Sequence, residues 1–309
     1  VDYNRTSFNP LIHMNAFKCC RPLLGTFVEI EIRDARMPER VLEDLAEISF
    51  GRIARVQSLM SFGDPSSELS RLNACGHLHP LSINPWTREV IAEAQRLGKA
   101  SEGVFDIAVA PTMDSLGFLP HLHVRQKHEE EEATLRDVVL HDNGRVSFRR
   151  LLRLDLGGLA RGFAMDKAAE ILIEANVGSA TIAAGGDFRF IGRRPKLLPL
   201  RDPTATATAD RMLSAKVTAP AVVTRAAYFA NRCHHWRKSS HILHPCTQKP
   251  MRSNVTVSVF AQSCVQAEAL TKVVLLDEPD SWKALLKRER ASAVFVTAKG
   301  EVVPFSSAA

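Results

Sequence analysis

The segment Asp155-Leu156-Gly157-Gly158-Leu159-Ala160-Arg161-Gly162 constrains this 309-residue chain more than any other. A short apolar run, Leu151 to Leu156, ends on two adjacent glycines, after which Ala160, Phe163, Ala164, Ala168, Ile171 and Leu172 recur at helical spacing. The pattern predicts a strand, a tight glycine turn and a helix. Such a turn leaves backbone N–H groups free at the positive end of a helix dipole, with Arg161 nearby, which suits an anion such as a pyrophosphate. The competing reading is packing alone, a tight turn that carries no ligand. A second pair, Gly185-Gly186 before Asp187, closes a short strand over Ala180 to Ala184, where two glycines permit positive φ and close backbone approach.

Around this centre the chain mixes strands and helices without a strict βαβ rhythm. Val28, Ile30 and Ile32 alternate with Glu29 and Glu31, a half-buried strand with which the fold opens. A long amphipathic helix follows Pro38, carrying Val41, Leu42, Leu45, Ile48, Ile53, Val56 and Leu59. Asn84-Pro85 reads as an N-cap with proline at the first helical position, before a helix to about Ala100. Residues 193–215 read as an irregular crossing. Val255, Val257 and Val259 mark a strand, residues 263–276 a helix, and residues 293–297 and 302–305 a closing hairpin around Lys299-Gly300.

Hydrophobic residues are 45% and charged residues 24% of the chain, which excludes disordered and collagen-like classes and leaves ample material for a core. Forty Lys and Arg against 34 Asp and Glu give a net charge of +6, better suited to small anionic ligands than to duplex nucleic acid. No apolar run reaches the roughly 18 residues that a membrane-spanning helix needs. The N-terminal residues lack the apolar core of a secretory signal, so the expected location is cytoplasmic, with residues 1–13 a flexible extension ahead of one domain over 14–309. Cys19, Cys20, Cys75, Cys233, Cys246 and Cys264 show no CxxC pairing and fit reduced thiols.

Three clusters have plain alternatives. Cys233, His234, His235, His241, His244 and Cys246 are crowded enough for zinc, but their spacing matches no established zinc pattern. The run Glu129 to Glu132 reads as a solvated face rather than a cation loop, which would alternate its carboxylates. Glu268 and Lys272, four apart on a helix, read first as an ordinary ion pair, worth about 0.3–0.5 kcal/mol.

In order along residues 22–305, however, these elements resemble the ApbE family of FAD:protein FMN transferases. The matching pieces begin with Leu24-Gly25-Thr26, Met60-Ser61-Phe62, Ser67 through Asn73 and Gly103-Val104-Phe105-Asp106. They continue with Leu116-Gly117-Phe118, Asp155 through Gly162 with Ala164 and Asp166, Ala184 through Asp187, Ser240 through Leu243, and Ala267 through Leu270. The resemblance implies an α+β, T-fold-related architecture of largely antiparallel sheets flanked by helices. It implies FAD as donor substrate, Mg²⁺ on its pyrophosphate, and transfer of FMN to a Thr or Ser hydroxyl of an acceptor protein with release of AMP. Some relatives hydrolyse FAD to FMN and AMP instead, and a non-catalytic FAD-binding or regulatory homologue is the third possibility.

By position, the resemblance places Leu24, Phe62, Val104, Phe105, Asp106, Asp155, Arg161 and Leu243 against FAD. It makes His241 the histidine near the reacting phosphate, and it assigns Gly158, Glu268, Thr271 and Lys272 to the metal site. The chain departs from the family at the reacting end. Glu268 stands where Asp is usual and Lys272 where Thr is common, Arg225-Ala226-Ala227-Tyr228 replaces a Ser-Gly-Asp/Glu-Tyr-like stretch, and Leu24 replaces the commoner Met. His241-Ile242-Leu243-His244-Pro245-Cys246-Thr247-Gln248 lacks the family's Asp and Gly.

Overall fold

The structure is a computed structural model that describes residues 15–120, 133–192, 196–200, 213–226, 232–234, 237–239, 242–251, 255–277, 279–297, 299 and 301–305. The chain enters on a hairpin of β1 (Asn15–Leu23) and β2 (Thr26–Asp34), so the first expected strand is in fact the second. Its turn, Leu24-Gly25, holds both residues at positive φ, 56° and 69°. Val28, Ile30 and Ile32 are fully buried, as their alternation requires. In α1 (Glu39–Met60), Pro38 is the N-cap rather than the first helical residue, and the buried face is Leu42, Ala46, Phe50, Ile53, Val56 and Met60. Val41 and Ile48, expected on that face, are exposed, because Ala46 and Phe50 take the core positions between Leu42 and Ile53.

Next come α2 (Glu68–Cys75), β3 (Leu81–Ser82), α3 (Pro85–Ala100), α4 (Ala110–Ser115), β4 (Val138–Leu140) and β5 (Arg145–Phe148), the three strands forming a small antiparallel sheet. The Asn84 cap forms as expected, its Oδ1 accepting from Trp86 N–H at 3.0 Å. Residues 151–156, expected as a strand, join no sheet. Their backbone is satisfied otherwise: the Asn73 side chain accepts from Leu154 N–H at 2.8 Å and donates to its carbonyl at 2.9 Å, and Asp155 N–H reaches the Ile107 carbonyl at 2.8 Å.

The chain then turns at Gly157-Gly158 into α5 (Ala160–Glu174), followed by the hairpin of β6 (Ser179–Ala184) and β7 (Asp187–Ile191). Gly185 and Gly186 have φ of 60° and 98°, as two central residues of such a tight hairpin require. β8 (Lys196–Leu200) pairs with β9 (Leu213–Val217), so part of the expected irregular crossing is a ribbon. After β10 (Ala221–Ala226) come two short ribbons, β11 (Arg232–His234) with β12 (Arg237–Ser239) and β13 (Leu243–His244) with β14 (Lys249–Pro250). β15 (Thr256–Ala261), α6 (Cys264–Leu276), α7 (Pro279–Arg288), β16 (Ser292–Val296) and β17 (Val302–Phe305) complete the fold, the last two strands as the expected hairpin.

Among the described residues the main sheet runs β1-β2-β6-β7-β10-β15-β16-β17, every neighbouring pair antiparallel. The α+β class with antiparallel sheets is thus as expected. α1, α5 and α6 pack against the sheet over one continuous core, and alternation along β10 and β15 sends Val222 and Phe260 to a smaller cluster with Phe190 and Val217 on the opposite face.

Two helices meet at the start of α5. A Cβ on Gly162 would lie 2.5 Å from the Cys264 carbonyl oxygen and 2.7 Å from Val265 N, so only glycine admits the N-terminus of α6 there. One turn later the Asp166 carboxylate accepts from Cys264 N–H at 3.0 Å and Val265 N–H at 2.9 Å, capping α6 from its neighbour. Burial pushes the Asp166 carboxyl up to about 6, against the pull of those two amides and Arg189. A folded-state value above the ordinary 3.8 means that the native protein holds the extra proton, so this group's contribution is full below about pH 4 and falls by roughly 3 kcal/mol as pH rises through 6. Urea titrations at pH 4, 5, 6 and 7 should show that Asp166→Asn removes this downward slope; parallel stability curves for variant and wild type would refute the assignment.

Candidate active site

α6 carries Glu268 across the mouth of the Gly157-Gly158 turn. Its buried carboxylate is fully engaged: Oε2 accepts from Gly162 N–H at 2.8 Å and Oε1 from Nη2 of Arg225, which arrives from β10. Arg225 Nη1 also spans both oxygens of Asp187 at 2.7 and 2.9 Å, just past the glycine hairpin, and Arg161 Nη1 approaches the same carboxylate at 3.4 Å. One guanidinium therefore ties two buried carboxylates from two elements. Burial pushes the Glu268 carboxyl up, but Arg225, with Arg161 and Lys272, pulls harder and leaves it below its ordinary value. At Asp187 burial wins over Arg225, and the neighbouring Glu268 charge adds to it, so this carboxyl sits above its ordinary value.

Lys272, one turn beyond Glu268, reaches back over the turn. A Cβ on Gly158 would fall 1.6 Å from Lys272 Nζ, so the ammonium fills the space that any side chain at 158 would take. It lies 5.9 Å from the centre of the buried Phe105 ring. Burial pushes its pKa down, while Asp155 and Glu268 hold it partly up. Among the described residues this ammonium has no hydrogen-bond or ion-pair partner.

The amides of the turn are mostly spent. Gly157 N–H donates to Asp155 Oδ1 at 2.9 Å, Leu159 and Ala160 N–H to the Leu156 carbonyl, and Gly162 N–H to Glu268. Among the described residues that leaves the N–H groups of Gly158 and Arg161 without acceptors, and the buried Arg161 Nε also has none. With Lys272 Nζ beside Gly158, these are donors that the described residues leave unused, fewer than the open row of amides that the sequence suggests.

The remaining sequence candidates lie on several other elements. Leu24 lies on the β1–β2 turn, its N–H bonded to Gln57 Oε1 at 2.6 Å, and Phe62 is buried just past α1. Pairing of Val28 with Ala184 sets that turn beside the Gly185-Gly186 turn, where a Cβ on Gly185 would meet Thr26 Oγ1 at 3.2 Å, so both tips share the sheet end that holds Asp187. Val104 is half-buried against the core. Asp106 binds the N–H of Ala108 at 2.7 Å and of Leu135 at 3.1 Å, holding a loop that lines a cavity of about 340 Å³ with Gly103, Pro245, Cys246 and Gln248. Leu243 is buried on β13. His241 lies outside the described residues, as do His235 and Glu129 to Glu132. Asp187 and Arg225 were absent from the expected site; Asp187 directly after two glycines, and an arginine in place of a small residue at 225, were the signals.

The magnesium that the resemblance implies does not fit this set. Both Glu268 oxygens are taken, Thr271 Oγ1 donates to the Glu268 carbonyl at 2.7 Å, and Lys272 occupies the space beside Gly158. Mg²⁺ demands open oxygen ligands in near-octahedral array, and an ammonium beside Gly158 would repel it. Among the described residues no three His, Cys, Asp or Glu groups converge as metal ligands.

An antiparallel sheet covered by helices, with a glycine-entered helix and a buried charge cluster at its hairpin end, defines an α+β protein. The chain belongs to the ApbE family, whose model matches residues 24–296. It is similar to the FAD:protein FMN transferase of Vibrio cholerae, 26% identical over 266 residues covering 81% of this chain and 78% of that one. The enzyme of the same name from Haemophilus influenzae is 25% identical, covering 82% and 79%. The fold matches the ApbE protein of Thermotoga maritima with a TM-score of 0.79 at 24% identity, over 94% of this chain and 97% of that one. Flavin transferase ApbE from Vibrio cholerae superposes with a TM-score of 0.77 at 22% identity, over 95% and 98%.

Glycine substitutions separate the two contacts at the turn. Gly162→Ala drives a methyl into α6 backbone and should cost at least about 2 kcal/mol in chemical denaturation, whereas Gly158→Ala meets only the far end of a flexible lysine and should cost under about 1 kcal/mol. Equal losses would contradict the close helix contact. Arg225→Met strands two buried carboxylates and should cost about 3–5 kcal/mol; a loss under about 1 kcal/mol would show that Arg225 does not neutralise them.

Proposed function

We propose that this chain is an FAD:protein FMN transferase, the activity named for its relatives, and that the Gly157-Gly158 turn receives the FAD diphosphate. The observation that carries this reading is the set of unspent donors on that turn, Gly158 N–H, Arg161 N–H and Nε, and Lys272 Nζ, beside a family-matched scaffold. Fixed donors of this kind hold a diphosphate in one orientation and stabilise charge that develops during transfer. Leu24, Phe62, Val104, Phe105 and Leu243 are the apolar residues proposed to accommodate the flavin nucleotide, and Asp106 and Asp155 shape the loops around it.

In the proposed reaction a Thr or Ser hydroxyl oxygen of the acceptor protein attacks the phosphorus of the FMN moiety. A new P–O bond forms, the bridging P–O bond breaks, and AMP leaves with the bridging oxygen. The hydroxyl proton passes to a base, for which His241 is the proposed residue, since an imidazole titrates near neutral pH. Magnesium takes no part in this reaction as proposed, because Glu268 is fully engaged and Lys272 fills the space beside Gly158.

A second reading, a protein that binds FAD without turning it over, draws on Lys272 and Arg225, which stand at the reacting end in place of smaller residues. Purified chain incubated with FAD, with and without a flavin-acceptor protein, separates the cases by AMP release and by flavin fluorescence retained on the denatured acceptor. The proposal expects AMP and a flavin-labelled acceptor only when both proteins are present. AMP without acceptor would make the chain an FAD pyrophosphatase, and bound FAD without AMP in either tube would leave the binding protein. Arg161→Ala should weaken FAD binding by about tenfold, the value of one charge-assisted hydrogen bond; unchanged affinity would remove Arg161 from the cradle.

A further inference from the structure

We infer that this chain supplies its own cation to the nucleotide: the Lys272 ammonium stands beside Gly158 where a divalent ion would otherwise serve, and flavin nucleotide binding is independent of divalent metal. The inference rests on the reading that the turn receives the FAD diphosphate, and it deepens that reading by assigning the positive charge.

Four features carry it. The ammonium is placed against the turn itself, filling the volume next to Gly158 Cα. It is not consumed by the protein, since among the described residues nothing hydrogen-bonds or ion-pairs with it, and the neighbouring Phe105 ring offers only its face. The carboxylate that would anchor a metal is already engaged, one oxygen by the Arg225 guanidinium and the other by a hydrogen bond from Gly162 N–H. Finally, the cations and carboxylates of the cluster match one for one, Arg161, Arg225 and Lys272 against Asp155, Asp187 and Glu268, so the cleft has no surplus negative charge to recruit a divalent ion. Lysine serves as a point charge for phosphate in other nucleotide sites, where its flexible stem lets the ammonium follow the ligand. The substitutions at 225, 268 and 272 then belong together. Arg225 occupies the glutamate, and Lys272 does for the ligand what the glutamate no longer does through a metal.

The test is calorimetry of the full chain with FAD, in EDTA and in millimolar magnesium, together with manganese binding followed by electron paramagnetic resonance. The wild type should bind FAD with dissociation constants within about twofold in the two buffers and should retain no stoichiometric manganese. Lys272→Met should weaken FAD binding by at least tenfold, and magnesium should not restore it, since Arg225 still holds Glu268. The triple variant Arg225→Ser, Glu268→Asp, Lys272→Thr should take up one manganese and bind FAD at least tenfold more tightly with metal than without. A wild type that binds FAD only with magnesium, or that holds one manganese per chain, overturns the inference while leaving FAD as the ligand. So does Lys272→Met with unchanged affinity. A folded wild type that binds FAD in neither buffer instead overturns the reading of the cleft, and the inference falls with it.

Discussion

Glu268 and Lys272 take their positions from the close crossing of α5 and α6 at Gly162. The missing side chain lets the N-terminal backbone of α6 lie directly on the first turn of α5, and three hydrogen bonds then lock the pair: Gly162 N–H to Glu268, and Cys264 and Val265 N–H to Asp166. Since α6 rises about 1.5 Å per residue, fixing its start also fixes Glu268 and Lys272 over the glycine turn one and two turns further on. A bulkier residue at 162 would move α6 away as a unit, taking the charged groups with it.

The crossing brings like charges together, and Arg225 makes that tolerable. Asp187 and Glu268 are almost completely buried, and two ionised carboxylates so placed would be costly without a shared cation. A planar guanidinium satisfies this geometry better than lysine would, because its separate N–H groups serve Asp187 and Glu268 at once. Lysine instead stands beside Gly158, where its ammonium has no fixed partner among the described residues. The division of labour between the two residues follows from their shapes.

Much of this was legible in the sequence. The alternation of Val28, Ile30 and Ile32, the Asn84-Pro85 cap, the Gly185-Gly186 turn and the strand-helix succession from residue 255 to 276 are local patterns, and each produced the element it suggested. The family resemblance, carried by short motifs in order, pointed to residues 155–162 and 268–272 as candidates. What failed was whatever depended on a distant partner. Residues 151–156 have strand composition, but the Asn73 amide and the Ile107 carbonyl claim their backbone before any strand can. The face of α1 was displaced because Ala46 and Phe50, not Ile48, meet the sheet. The Glu268–Lys272 spacing alone reads as an ordinary ion pair, whereas Glu268 is engaged by an arginine 43 positions earlier in the chain, a pairing that no local pattern encodes.

On the proposed function, the Gly157-Gly158 turn, with Arg161 and Lys272, holds a flavin nucleotide's diphosphate. A crystal structure of the chain grown with FAD and a chelator examines this directly. Diphosphate density should lie within hydrogen-bonding distance of Gly158 N–H and Lys272 Nζ, with Glu268 still bonded to Arg225. Well-defined FAD elsewhere on the molecule, or a diphosphate that leaves Lys272 and the glycine turn untouched, would contradict it.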